Sequence, residues 1–120
     1  MKKLFVVIVL LFSLVGKAQY EPIQNESEYQ VMMDLTNIVD DQIEIEIIVP
    51  LVNEETAVYN MPVMVPGTYK IYNFGRFINR FTAIGSRGDT LEVESLNENQ
   101  WRINNAKDLY KISYWADDTY

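Results

Sequence analysis

Between Gln42 and Val49 the chain reads Gln-Ile-Glu-Ile-Glu-Ile-Ile-Val. Ile43, Ile45, Ile47 and Val49 fall at every second position, with Glu44 and Glu46 between them. Successive side chains of a strand point to opposite faces, so this pattern makes one apolar and one charged face. On a helix the same isoleucines would scatter around the axis. The segment is therefore expected to be a strand with one face buried. A sheet with an apolar face needs a second layer to cover it, which limits the chain to a few layered architectures.

Neighbouring segments repeat the pattern. Tyr29 to Leu35 places Tyr29, Val31, Met33 and Leu35 on one face, and Asn37 to Asp41 supplies turn residues, so the two segments are expected to form a hairpin. Pro50 ends the second strand or marks a sheet edge. Thr56 to Met61 is the next expected strand, after a turn at Asn53-Glu54-Glu55. Phe74 to Asn79 fits a short helical turn. Arg80 to Gly85 and Thr90 to Leu96 flank Ser86-Arg87-Gly88-Asp89, where Gly88 suits a hairpin turn. Arg87-Gly88-Asp89 also spells an integrin-binding tripeptide, for which ordinary turn chemistry is a sufficient explanation. Gln100 to Asn104 puts Trp101 and Ile103 on one face, and Leu109 to Ala116 does the same with Tyr110, Ile112 and Tyr114. Turns are expected at Asn97-Glu98-Asn99 and at Asn105 to Asp108. Short strands at this spacing imply an all-β fold, a β-sandwich of short, mainly antiparallel strands.

The N-terminus stands apart. Lys2 and Lys3 precede an apolar run from Leu4 to Leu14, followed by Gly16-Lys17-Ala18 with small residues where signal peptidase reads. This is the layout of a secretory signal peptide. The run falls short of the roughly 20 residues that span a bilayer. Residues 1–18 are thus expected to be cleaved after Ala18, giving an exported product with no stable membrane anchor. Residues 19–28 form a polar leader and 29–120 the domain, which ends on a strong strand as though it fronts a longer protein. Removing Lys2, Lys3 and Lys17 leaves seven basic residues against 17 acidic ones, a net charge of −10. That argues against nucleic acid, whose binding needs a basic footprint.

The chain contains neither cysteine nor histidine. The common zinc sites use one or both, and serine and cysteine nucleophile systems usually need a histidine base. No cofactor or metal is therefore expected in this chain, and no catalytic residue. The carboxylate pairs Asp40-Asp41, Glu54-Glu55 and Asp117-Asp118 fall in turns or at the chain end, where solvated charge is their ordinary role. A carboxylate-only enzyme such as a glycosidase would need two of them facing across a cleft, about 5–10 Å apart.

One stretch breaks the plain alternation. Met61 to Ile78 holds Pro62, Pro66, Gly67 and Gly75, and sets Lys70 and Arg76 among the aromatics Tyr69, Tyr72, Phe74 and Phe77. An arginine among aromatic rings either presents a fork to a carboxylate or stacks on a ring and ties the loop to its own domain. Read as a stand-alone unit, the chain would be a secreted β-sandwich module binding peptide or glycan through the aromatic loop from Pro66 to Arg76.

Pro62, Pro66, Gly67, Thr68, Tyr69, Phe74, Gly75 and Arg76 together follow the form Pro-x-x-x-Pro-Gly-[Ser/Thr]-Tyr, then an aromatic, a small residue and Arg. With the tyrosine-led first strand, the Ile/Glu second strand and the late Trp101-Arg102-Ile103, this resembles the N-terminal domain of the glycyl aminopeptidase-type zinc metallopeptidases, peptidase family M61. The likeness runs from about Tyr29 to Tyr120. It implies a non-catalytic β-sandwich that docks on a thermolysin-like catalytic domain and helps wall the substrate cleft. Zinc and the catalytic residues would belong to that domain, which this chain lacks. The catalytic domain of the same protein is then the expected partner, with peptide substrate met only indirectly. Pro66, Gly67, Thr68, Tyr69, Phe74 and Arg76 are the candidate docking or cleft residues.

Overall fold

The computed structural model describes residues 22–117. The expected signal peptide, its cleavage site and Asp118 lie outside the described residues. Within them the fold is all-β, with eight strands and two short 3-10 turns. The strands are β1 (Gln30–Val39), β2 (Gln42–Ile48), β3 (Thr56–Asn60), β4 (Ile78–Gly85), β5 (Thr90–Leu91), β6 (Val93–Asn97), β7 (Gln100–Asn104) and β8 (Leu109–Ala116). They form two antiparallel sheets, a five-stranded one in the order β1-β2-β8-β4-β5 and a three-stranded one in the order β3-β7-β6.

Alternation on β2 decides how the layers face. Ile47 pairs with Ile112 of β8, and Ile112 with Ala83 of β4, so three apolar side chains stand side by side on the inner face. Across from them, Ala57, Ile103 and Val93 line up over β3, β7 and β6. Ile47, Ala83, Ile103, Leu109 and Ile112 are all buried in one cluster. Beside it the aromatic side chains form a second group. Phe81 stacks on Trp101 with ring centroids 5.0 Å apart, and Tyr59 lies 5.4 Å from Phe81 and 5.9 Å from Tyr114.

The hydroxyls of Tyr59 and Tyr114 sit 3.2 Å apart in this group. Burial, helped by that hydrogen bond, pushes the Tyr59 phenol well above the usual tyrosine range. An unfolded chain ionises the same group near pH 10. The preference for the neutral phenol therefore stabilises the fold fully below pH ~10 and is lost as pH rises beyond it. Tyr59→Phe should cost about 1 kcal/mol at neutral pH and flatten the fall of melting temperature between about pH 10 and 11. A fall as steep as in the parent would show that Tyr59 is not the group responsible.

Three expectations need correction. The face of Tyr29, Val31, Met33 and Leu35 was expected to be buried, yet all four are exposed. β1 is an edge strand, and the smaller sheet does not reach over it. The turn after β1 is also shorter than expected: pairing continues through Ile38–Ile43 and Val39–Gln42, leaving Asp40 and Asp41 as a two-residue turn with φ of 51° and 59°. Positive φ at both central residues matches the right-handed twist of the flanking strands. Finally, Thr90 to Leu96 is not one strand. Thr90–Leu91 pairs with β4, while Val93–Asn97 pairs with β7, so the chain crosses between the layers at Glu92.

The polar leader is tied down. Gln24 Nε2 donates to the carbonyls of both Val49 and Leu109 at 2.9 Å, and the Leu51 N–H donates to Asn25 O. Tyr110 donates its hydroxyl to Pro22 O. These bonds hold residues 22–25 across the ends of β2 and β8. Ile47, Ile48 and Val49 are all buried at that end, so alternation stops where both faces of the strand are covered. The surface ion pairs Arg102–Glu94 and Lys107–Glu55 are largely exposed and contribute little to stability.

Candidate functional site

The Pro/Gly-anchored stretch leaves β3 and returns to β4 as a closed loop. Phe74 N–H donates to Pro62 O at 3.0 Å, and the N–H groups of Tyr72 and Asn73 both donate to Val63 O, at 2.8 and 3.0 Å. Residues 64–71 lie beyond this neck. At the tip, Val65-Pro66-Gly67-Thr68 makes a type II turn: Pro66 sets the first central φ, Gly67 takes φ +92°, and Thr68 N–H reaches Val65 O at 3.3 Å. Thr68 Oγ1 donates to the same carbonyl at 2.7 Å. Tyr69 follows with φ +51°.

The base of the loop is locked from the other sheet. Residues Phe74–Phe77 form a 3-10 turn, part of the helical turn expected over 74–79, with Ile78 and Asn79 already in β4. Inside it, the buried Gly75 N–H donates to Asn99 Oδ1 at 3.0 Å. Asn99 Nδ2 donates to Asn73 Oδ1 at 3.2 Å, and the Asn99 carbonyl accepts from Met61 N–H at 2.9 Å. Asn99 is thus bonded to both arms of the loop, and it is a buried polar side chain with its hydrogen-bonding groups satisfied. Gly75 sits against the backbone here: a β-carbon on it would lie 1.9 Å from Glu98 O and 2.8 Å from Asn99 Cα. Nothing in the sequence marked Asn99, which read as an ordinary turn residue.

Rings and cations line the neck. Tyr72 stacks on Phe74 at 5.4 Å, and Phe74 meets Phe77 at 6.5 Å. Lys70 Nζ lies 5.2 Å from the centre of the Tyr72 ring, and the Arg76 guanidinium 4.5 Å from that of Phe77. Of the two roles open to Arg76, stacking on its own domain is the one seen. A guanidinium held by its face keeps in-plane donors available, and Arg76 is exposed.

The candidate residues split into two groups. Pro66, Gly67, Thr68 and Tyr69 form the tip, while Phe74 and Arg76 belong to the base. Tyr69 and Arg76 neither stack on nor hydrogen-bond to each other. Tyr69 is 95% exposed, and Val63, Met64, Val65 and Ile71 around it are exposed as well. The loop therefore presents an apolar tip on a rigid neck. The carboxylates stay dispersed: Asp40 and Asp41 cap the β1–β2 hairpin, Glu55 pairs with Lys107, and Glu46 pairs with Lys111. Among the described residues no group of three or more His, Cys, Asp or Glu is placed to hold a metal ion. Arg87-Gly88-Asp89 lies in the tight turn between β4 and β5, with Gly88 N–H donating to Gly85 O at 3.0 Å.

Comparison with known proteins adds two findings. The family model for the peptidase M61 N-terminal domain matches residues 28–119. An aminopeptidase N family protein from Idiomarina loihiensis has a solved structure that superimposes with a TM-score of 0.68 at 18% identity. The match covers 78% of this chain and 16% of that one, so the present chain spans about a sixth of its neighbour. At that identity the likeness is one of fold alone. A search of curated proteins returned no match.

Proposed function

The chain belongs to the peptidase M61 N-terminal domain family, and on that premise we propose that it is the non-catalytic front domain of an exported zinc metalloaminopeptidase. It docks on the catalytic domain and helps wall the substrate cleft. Zinc and the groups that activate water reside in the catalytic domain, because this chain offers neither histidine nor cysteine. The observation that carries the reading is the division of the 62–76 loop into a clamped base and a bare apolar tip. Large apolar side chains held out on a rigid support mark an interaction surface. Tyr69, at 95% exposure, does nothing for this domain's own packing.

The test uses the full-length protein. Tyr69→Ala should leave the melting of this domain unchanged and raise KM for a short peptide substrate about five- to tenfold, a loss of roughly 1 kcal/mol of binding. Tyr69→Phe should behave as the parent, since the ring supplies the contact. Unchanged kinetics in both variants would sink the docking role of the tip. Loop-dependent binding of peptide or glycan by residues 19–120 alone would favour the free-standing module instead.

A further inference from the structure

Five strands face three, and the mismatch falls on one side. The step from Leu91 to Val93 carries the chain directly from one sheet to the other, so β6 lies on the β4–β5 side and β3 lies towards β1. A groove of about 80 Å³ runs along this boundary, lined by Tyr29, Val58 and Tyr59 among others. Beyond it the inner face of β1 is bare. Tyr29, Val31, Met33 and Ile38 are 68%, 58%, 57% and 60% exposed. Val31, Met33 and Ile38 stand beside Ile47, Ile45 and Ile43 of β2. This shelf carries no charged side chain on its inner face, unlike the outer face with Glu44 and Glu46.

The edge of β3 is open on the same side. Glu55 O accepts from Ala106 N–H, and Met61 N–H donates to Asn99 O, both at 2.9 Å. Odd-numbered residues of β3 thus turn their backbone groups towards β7. In an antiparallel ladder the alternate residues point the other way, so the N–H groups of Thr56, Val58 and Asn60 face out above the shelf. Asn60 Nδ2 meanwhile donates to Val58 O at 3.2 Å, a local contact that an incoming strand would displace.

We propose that this edge receives an extended strand with apolar residues at alternate positions, supplied by polypeptide that follows this domain in the same protein. Added beside β3, it makes the smaller sheet four-stranded and covers the shelf. Strand spacing of ~4.8 Å and sheet separation of ~10 Å bring its inner side chains onto Val31 and Met33. Three observations favour this occupant. The family is by its description an N-terminal domain, and the I. loihiensis neighbour carries the fold as 16% of its chain. The last described residue, Asp117, is held by its N–H on Phe77 O at 2.8 Å and follows Ala116, which pairs with Ile43, itself the partner of Ile38 at one end of the shelf. A second copy is disfavoured, because two chains that each carry a net charge of −10 once residues 1–18 are removed repel. The proposal shares with the docking reading only the premise that more polypeptide follows.

Hydrogen exchange on the full-length protein tests it. The Val58 N–H should exchange at least ~100-fold more slowly than that of Ser95, which faces out from the opposite edge of the same sheet. Equal rates at the two positions would overturn the proposal. So would protection that appears only as protein concentration rises, since a second copy would then be the occupant. As an independent check, Met33→Glu in the full-length protein should lower the melting temperature by roughly 8 °C or more, because a covered Met33 has no room for an unpaired charge. Melting at the parent temperature would also overturn it. Neither readout involves peptide substrate, so this inference and the role of Tyr69 can fail separately.

Discussion

Replacing Gly75 by alanine should unseat the 62–76 loop and lower stability by roughly 3 kcal/mol or more. The cause is not φ, which is ordinary at this residue, but space. The new β-carbon would meet Glu98 O at 1.9 Å and Asn99 Cα at 2.8 Å, and both obstacles are backbone. Relieving the clash means moving the 97–99 turn off the 74–77 turn, which also breaks the bond from Gly75 N–H to Asn99 Oδ1. For a domain of this size the expected drop in melting temperature is at least about 12 °C. Gly67→Ala is the control. Gly67 has φ +92° but nothing within 4 Å of a β-carbon, so its cost is backbone strain of only about 1 kcal/mol. If the two variants melted together, close approach at Gly75 would not be what holds the loop.

Asn99→Ala should cost about 2–3 kcal/mol, the second largest effect. Its Oδ1 is the acceptor for the buried Gly75 N–H, and its Nδ2 the donor to Asn73 Oδ1. Truncation leaves a buried N–H without a partner, and that penalty exceeds the net worth of an ordinary hydrogen bond. The bond from Met61 N–H to the Asn99 carbonyl survives, because it needs only backbone. The neck should therefore loosen on the Phe74 arm while β3 and β7 stay paired. Limited chymotrypsin digestion separates the outcomes: cleavage at Tyr69 or Tyr72 should quicken well before global unfolding, since local opening of the neck frees the loop backbone to enter the protease. In a double-mutant cycle, Gly75→Ala and Asn99→Ala should fall short of additivity by ~1 kcal/mol or more, because both remove the same contact. Full additivity would show that they act independently.

How much of this was legible beforehand depends on the range of the interaction concerned. The strands were readable because alternation is a local property: Ile43, Ile45, Ile47 and Val49 share a face whatever they pack on. The loop was readable because Pro66-Gly67-Thr68 encodes its own turn through φ preferences that neighbours hardly change. Both the resemblance to the M61 N-terminal domain and the β-sandwich class rest on such local signals, and the family match and the two sheets agree with them.

Legibility ended where the answer depended on residues far apart in the chain. Asn99 looks like any turn asparagine until the fold brings it to Asn73 and Gly75, 26 and 24 residues away. Arg76 had two open roles, and the proximity of the Phe77 ring selected one. The alternation of Tyr29, Val31, Met33 and Leu35 correctly identified a strand but not its burial, because a strand's own sequence does not determine how many strands lie opposite it. The crossing at Glu92 was likewise hidden, since the same residues suit either sheet.

By itself, then, the sequence determined which segments extend as strands, short of their exact ends and the break at Glu92, together with the layered all-β class and the stiffness of the Pro/Gly loop. Each follows from backbone sterics and side-chain period within a few residues. Only the tertiary structure decided which faces are covered, that the loop is a clamped base bearing a bare tip, and that one side of the sandwich stands open. Those depend on strand order and on contacts across tens of residues, where the cost of closing the chain is met only when the whole sheet assembles.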